Sequence, residues 1–339
     1  MRRPLAQRLT VLFAAALLLP TVAACGVDED DAGLVIYSGR NEKLVKPLLD
    51  DLEKAVGTSV AVRYGESAEL AAQIQEEGDK TKAHLFFSQD AGALGALSTK
   101  GLLEKLPQPS LDKVDPAFRG AAGDWVGTSG RVRVIAYNPE KVSKAPDSVH
   151  DLVKPEWKGK IGYVPTNASF QAFVTGMRVL EGDDATRAWL KGLKANDPKV
   201  YDNNLKVLEG VGKGEVSLGL VNHYYWYEQV AEKGESKVKS KIHFLSGGDP
   251  GGLVNAAGVG IVKKGAQNPA AQKAVDFLLS EKAQKYFADD TKEYPLAAGV
   301  TSSVDGLPPL ASLDAPKIDL GKLESLQETL KMLQEAGMV

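Results

Sequence analysis

LVIYSGRNEKLVKPLLDDLEKAVGTSVAVRY, residues 34–64, sets a strand-like apolar run (LVIYS, 34–38) before a helical stretch (41–55) and a second strand-like run (VAVRY, 60–64) after it. The same alternation continues along the chain. Further runs are HLFFS (84–88), RVIAYN (133–138), IGYV (161–164), VSLGLV (216–221) and AGVGIV (257–262). Helical patterns fall at 67–77, 169–180, 184–194 and 268–288. Strands alternating with helices in this way predict an α/β architecture with mainly parallel sheets. The tail carries Leu320, Leu323, Leu326, Leu330 and Leu333 at helical spacing, which predicts a helix packed on the body.

The 339 residues balance 41 Lys+Arg against 44 Asp+Glu, a formal charge of −3, with 43% apolar and 25% charged residues. That is the composition of an ordinary globular protein, and it excludes a strongly basic nucleic-acid binder. A single cysteine excludes an internal disulfide framework. That residue, Cys25, closes a mostly apolar run beginning at Leu9, behind Arg2, Arg3 and Arg8 and directly after Ala23 and Ala24. A basic start, an apolar stretch and small residues predict a secretory signal peptide over 1–24. VAAC (22–25) resembles a bacterial lipobox, in which the cysteine is lipid-modified and becomes the N-terminus. An uncleaved membrane anchor is the alternative, but the run is short for a spanning helix and Pro20 interrupts it.

Cleavage before Cys25 removes 24 of 339 residues, leaving 315, and takes three arginines, so the formal charge moves from −3 to −6. Residues 25–33 then read as a lipidated N-terminus and flexible tether. The expected location is the outer face of the cell membrane, with contact only through the lipid. About 315 residues exceed what one core usually supports, so two lobes are expected.

The usual enzyme signatures are missing. There is no G-x-S-x-G and no P-loop, and GVGKGE (210–215) has the wrong spacing for a dinucleotide loop. His84, His150, His223 and His243 are scattered, without HExxH or Cys/His zinc spacing. The densest unusual segment is LVNHYYWYEQV (220–230), where Tyr224, Tyr225, Trp226 and Tyr227 are consecutive and Asn222 stands just before. At a strand-to-helix junction two neighbouring phenols can meet one ligand at the positive end of a helix. The alternative is an aromatic cluster that fills a core or stacks on a sugar ring.

NHYYWY is similar to the N-x-Y-Y-W motif of periplasmic ferric-iron-binding proteins of bacterial ABC importers. LVIYSGRNE, SGRVRVIAYN (129–138), PEWKGKIGYVPT (155–166), AWLKGLK (188–194), GDPGGLV (248–254), EYPL (293–296) and LQEAGM (333–338) also resemble family segments, in order. The resemblance implies no enzyme but a monomeric, two-lobed type II periplasmic-binding-protein fold. Its lobes, 34–132 plus 256–305 and 133–255 plus 306–339, would be joined by crossover strands. Ligand in the cleft would close the lobes, and the closed form would dock on an ABC permease.

The resemblance makes Tyr224 and Tyr225 the iron-ligating pair. Ferric ion suits them, being a hard cation that favours anionic oxygen. Ionising a phenol of pKa near 10 at pH 7 costs about 4 kcal/mol, which Mg2+ or Ca2+ would not be expected to offset. Elsewhere the sequence departs from the pattern. Where many members have a histidine, it has Asn41, with Glu42 beside it. In place of a glutamate stands Gln89, with Asp90 next, and in place of a further tyrosine stands Phe170. Those four polar residues and Tyr227 are weaker ligand candidates, and Tyr227 is equally suited to packing. The remaining shell must come from water oxygens, from such nearby substitutes, or from an anion such as carbonate or phosphate. Arg40, the loop Thr166, Asn167, Ala168 and Ser169, and the asparagines Asn204 and Asn222 are its expected contacts, with Arg131 a further candidate. For Arg40 the alternative is a solvated surface charge, and for Asn204 a plain loop residue. The runner-up reading is a protein of the same fold for an organic anion, an oxyanion or a polyamine.

Overall fold

The computed structural model describes residues 28–339; the leader, Cys25 and the first residues of the tether lie outside them. In chain order the strands are β1 (Leu34–Ser38), β2 (Val60–Tyr64), β3 (Leu85–Ser88), β4 (Trp125–Tyr137), β5 (Ile161–Tyr163), β6 (Lys199–Val200), β7 (Leu218–Asn222), β8 (Lys241–Phe244), β9 (Val254–Ile261) and β10 (Tyr294–Pro295). The helices are α1 (Glu42–Val56), α2 (Ser67–Glu77), α3 (Ala91–Thr99), α4 (Gln108–Leu111), α5 (Ala168–Glu181), α6 (Asp183–Ala195), α7 (Asn204–Lys213), α8 (His223–Lys233), α9 (Pro269–Leu278), α10 (Glu281–Asp289) and α11 (Leu326–Glu335).

Local chemistry explains most boundaries. In α1, Val45, Leu48, Leu49, Leu52 and Val56 form one buried stripe, and Gly57 ends the helix in the left-handed region at φ 72°. The pattern at 268–288 is two helices rather than one, because Ser280 caps α10 by accepting the Ala283 amide. The leucine-rich tail is also interrupted, by a 3-10 turn at Leu320–Glu324 ahead of α11.

The strands run β2-β1-β3-β9-β4-β7-β5-β6, with β8 and β10 also on β4. The outer pairs, β1 with β2 and β3 and β5 with β6 and β7, are parallel as expected. The long central strands β4 and β9 are antiparallel to their neighbours, so the sheet is mixed. RVIAYN is only the second half of a 13-residue strand that begins at Trp125. The first half of β4 pairs with β9 and β10 over the core of Leu34, Val45, Phe86, Leu97 and Phe287. Its second half pairs with β7 and β8 in another lobe, with a core on each face. Because side chains alternate along a strand, Ile135 enters one of these cores, with Phe170, Phe173 and Trp189. Val132, Val134 and Ala136 enter the other, with Val207, Val211, Trp226 and Tyr227.

The tail touches both lobes. Leu320 and Leu323 belong to the first core, whereas Met332 and Leu333 belong to the second. A Cβ on Gly95 of α3 would lie 2.3 Å from the Gly321 carbonyl oxygen. Gly95→Ala is therefore expected to cost about 1–3 kcal/mol by overpacking, read as a lowered denaturant midpoint at unchanged slope. Residues 28–33, expected as free tether, are engaged. Arg63 binds Glu29 with a 2.7 Å bond from Nε, Lys82 pairs with Asp30 at 2.7 Å, and Asn268 donates to the Gly33 carbonyl at 2.7 Å. Among the described residues no helix is long and apolar enough to cross a membrane.

Candidate functional site

The site grows from the junction of β7 and α8. Asn222 ends the strand, His223 opens the helix, and Tyr224 and Tyr225 fall in its first turn, as the sequence predicts. His223 fixes that turn. Its ring is fully buried, its Nδ1 accepts the Val132 amide of β4 at 3.2 Å, and it stacks on Tyr294 at 4.9 Å. Burial pushes the imidazole down to about 4, so it is neutral at pH 7 and carries its proton on Nε2. Trp226 and Tyr227 anchor α8 in the second lobe. The indole donates to the Ser240 carbonyl and the Tyr227 hydroxyl to the Gly306 carbonyl, each at 2.8 Å. Tyr227 is thus a packing residue here, and burial raises its phenol to about 12.

Tyr224 is buried and Tyr225 half-buried, with ring centroids 4.1 Å apart and planes 34° apart. Burial, and then the neighbouring Tyr225, hold the Tyr224 phenol well above its ordinary value, against the pull of Arg131. Two arginines of β4 face the pair. Residues 131 and 133 share one face of the strand, and Arg133 lies opposite Asn222 in the ladder. Arg133 donates to Ser169 Oγ and to the Leu220 carbonyl, both at 3.1 Å, and lies over the rings of Phe170 and Phe173. Ser169 in turn donates to Asn167, which caps α5. Among the described residues no carboxylate pairs with Arg133. Burial lowers its guanidinium to about 9, with Tyr225 and Tyr224 pulling the other way.

Arg131 is also buried, donates to the Gln89 carbonyl, and senses Glu293, Tyr224 and Asp90. These contacts bring Gln89, Asp90, Arg131, Arg133, Asn167, Ser169, Asn222, Tyr224 and Tyr225 into one region. Thr166 and Ala168 are exposed on the same loop. Asp90 caps α3, accepting the Ala93 amide at 3.1 Å, and its carboxyl is raised by burial. Asn204 opens α7 as a buried residue whose Oδ1 has no partner among the described residues.

Other candidates stand apart. Asn41 and Glu42 are exposed at the start of α1, and Glu42 lines a surface hollow with Lys46 and Tyr64. Arg40 is no solvated charge. Both it and Glu293 are fully buried, joined by bonds of 2.7 and 3.2 Å, with Ser129 also donating to Glu293 at 2.7 Å. Its fork is thus occupied by a carboxylate. Phe170 fills the core, edge-on to Tyr163.

Nine buried side-chain polar atoms lack a partner among the described residues, and four of them, on Gln89, Arg131, Arg133 and His223, lie around the phenol pair. Buried polar groups are normally paired, so this concentration marks a place built for a polar ligand. Among the described residues no three His, Cys, Asp or Glu side chains gather as for a metal. Arg133 and Glu293 were not among the residues expected from sequence. The R-x-R spacing at 131–133, read as a strand, is the signal that would have found the first.

Residues 80–319 match the bacterial extracellular solute-binding protein family. An Fe(3+)-binding periplasmic protein of Serratia marcescens is 34% identical over 312 residues, 91% of each chain. The major ferric iron-binding protein of Neisseria meningitidis is 34% identical over 335 residues, covering 96% of this chain and 97% of its own. Among solved structures, iron-bound HitA from Pseudomonas aeruginosa superposes with a TM-score of 0.82 at 36% identity, covering 90% of this chain and 99% of that one. A Trichodesmium protein in complex with iron and citrate gives 0.78 at 27% identity with the same coverage. None of these names describes an enzyme.

Proposed function

The chain belongs to the bacterial extracellular solute-binding proteins, and we propose that it captures ferric iron between its lobes through the phenolates of Tyr224 and Tyr225. The observation that carries this reading is the pair of adjacent phenols beside two buried arginines, one of them without a counter-ion among the described residues. A phenol there is costly to ionise alone. A trivalent cation repays the cost by binding the phenolates, and the arginines then require further negative charge nearby.

That charge would come from an anion arriving with the metal, such as carbonate, phosphate or a carboxylate chelate. Arg131, Arg133, Ser169 and the start of α5 are its receptors, with Asn204 and Asn222 at the edges. Arg40 serves the scaffold instead. Ligand bridging both lobes favours the closed form by its differential affinity, and the closed form is the species that an ABC permease would accept. Cys25 would hold the body at the membrane through lipid.

Metal binding should release protons. A free phenol is protonated at pH 7 to 8 and Tyr224 is held higher still, so iron bound through two phenolates displaces about two protons. Apparent affinity should therefore fall by up to about 100-fold per unit as pH drops from 8 to 7, where citrate stays ionised. Titration of the metal-free protein with ferric citrate, following proton release and affinity together, checks this. Binding with no proton release would overturn the phenolate reading. An organic ligand without iron, in protein made under iron-replete growth, would favour the runner-up.

A further inference from the structure

Residues 28–31 read Asp-Glu-Asp-Asp, a run that self-repulsion would extend if it were solvated alone. Instead it lies folded on the first lobe. The Asp31 amide donates to the Asp28 carbonyl and the Asp30 amide to Asp28 Oδ1, each at 3.1 Å, which closes a turn. Glu29 leaves that turn with both carboxylate oxygens on Arg63, one accepting from Nε at 2.7 Å and the other from Nη2. Its side chain is only 20% exposed. At the far end of the segment Gly33 is held twice. Its amide donates to Ser59 Oγ at 3.1 Å, and its carbonyl accepts from Asn268 at 2.7 Å.

The receiving arginine is set in place by its own lobe. Its guanidinium lies over the Tyr37 ring, 4.4 Å from the centroid, and Nη1 reaches Glu77 at 3.5 Å. Glu77 is fixed in turn by donors from Tyr37, Gln73 and Thr81. A carboxylate held bidentately on a fixed fork is the strong form of a surface ion pair. Lys82 adds a second pair, to Asp30 at 2.7 Å, which is exposed and therefore weaker. β2, which carries Arg63, is the outermost strand of the sheet, and Asp28 and Glu29 border a hollow between it and α1.

Docking changes how far the chain can reach from an anchor at Cys25. Nine free residues, 25–33, would let the body stand up to about 30 Å from the lipid. With the turn docked, only residues 25–27 separate it from Cys25, and three residues span at most about 10 Å. We propose that the Glu29–Arg63 pair is a latch that turns the tether into a short strut. It holds the outer edge of the first lobe, β2 with α1, against the membrane surface, so the body keeps one side to the lipid. The inference rests on the lipid-anchor reading of Cys25, and its test separates the two.

The test uses the lipid-modified protein in phosphatidylcholine vesicles, with a dye on Asp50→Cys, an exposed position lining the same hollow. Cys25 is the sole natural cysteine, so once it is acylated the new thiol is the only free one. Energy transfer to acceptors in the lipid headgroups then reads the height of this edge. Glu29→Ala with Asp30→Ala removes both ion pairs and touches no group of the iron site. Transfer should be strong in the parent. In the variant the dye should move away by on the order of 10 Å, with a broader spread of distances. The melting temperature and ferric affinity, expected to be unchanged, check that the body is intact. Flotation with the vesicles and equal transfer in both proteins overturns the latch alone. Protein left behind when the vesicles float overturns the Cys25 reading and the latch together.

Discussion

Replacing Tyr224 and Tyr225 together by phenylalanine will abolish the visible phenolate-to-iron colour and lower ferric affinity by more than about 1,000-fold, roughly 4 kcal/mol. The variant keeps the rings that stack at 4.1 Å and deletes only the oxygens. The fold should therefore persist, because both side chains still fill their places and His223, Trp226 and Tyr227 keep the hydrogen bonds that seat the helix. Single variants should each retain a weaker, shifted band, since one phenolate still reaches the metal. Hard, trivalent iron gains most from anionic oxygen, so removing two such donors costs far more than removing surrounding neutral ones. Absorption spectra and competition with a coloured chelator measure both effects. An unaltered affinity in the double variant would falsify the assignment of these residues.

Glu293→Ala will destabilise the protein by about 3–5 kcal/mol, because it strands the fully buried Arg40 without its counter-ion. It also removes the acceptor of the Ser129 hydroxyl on β4. In a chain of this size the melting temperature should fall by roughly 2–4 °C per kcal/mol. The same pair fixes the acid limit of stability. Burial works against ionised Glu293, but Arg40, Arg131 and the hydrogen bonds from Arg40 and Ser129 outweigh it, so its carboxyl lies below the usual range. A depressed folded-state pKa contributes stability fully above the unfolded value, about 4.3, and loses it as pH falls through the folded value. The wild type should thus lose this contribution only below about pH 4.3. Glu293→Ala should lack that component of the acid transition. Equal melting temperatures for the two proteins at pH 7 would show that the buried pair is not needed.

The tyrosine pair was legible because its signal is local: a buried strand runs into a helix, and consecutive aromatics sit on the turn between. The α/β class was legible for the same reason, since strand and helix periods differ over short windows. What escaped depends on distance. Glu293 lies 253 residues from Arg40, and nothing near either residue announces the other. Arg40 therefore read as an anion contact, whereas the fold gives its fork to a carboxylate. β8 (KIHF) is short and half-exposed on both faces, so it carries no clear alternation. The full length of β4 was hidden because Gly127, Thr128, Ser129 and Gly130 interrupt its apolar pattern where it passes between lobes. Arg133 was readable in principle, from period two on a strand. It becomes evident only once burial shows that, among the described residues, no carboxylate pairs with it.

The most direct measurement of the central claim is a resonance Raman spectrum of the wild-type protein carrying one ferric ion, excited within its visible absorption band. Phenolate ring modes coupled to the metal, enhanced in the wild type and absent after Tyr224→Phe with Tyr225→Phe, are the predicted result. A stoichiometric iron complex with no enhanced phenolate modes would contradict the account, because the metal would then be held by other atoms than these two oxygens.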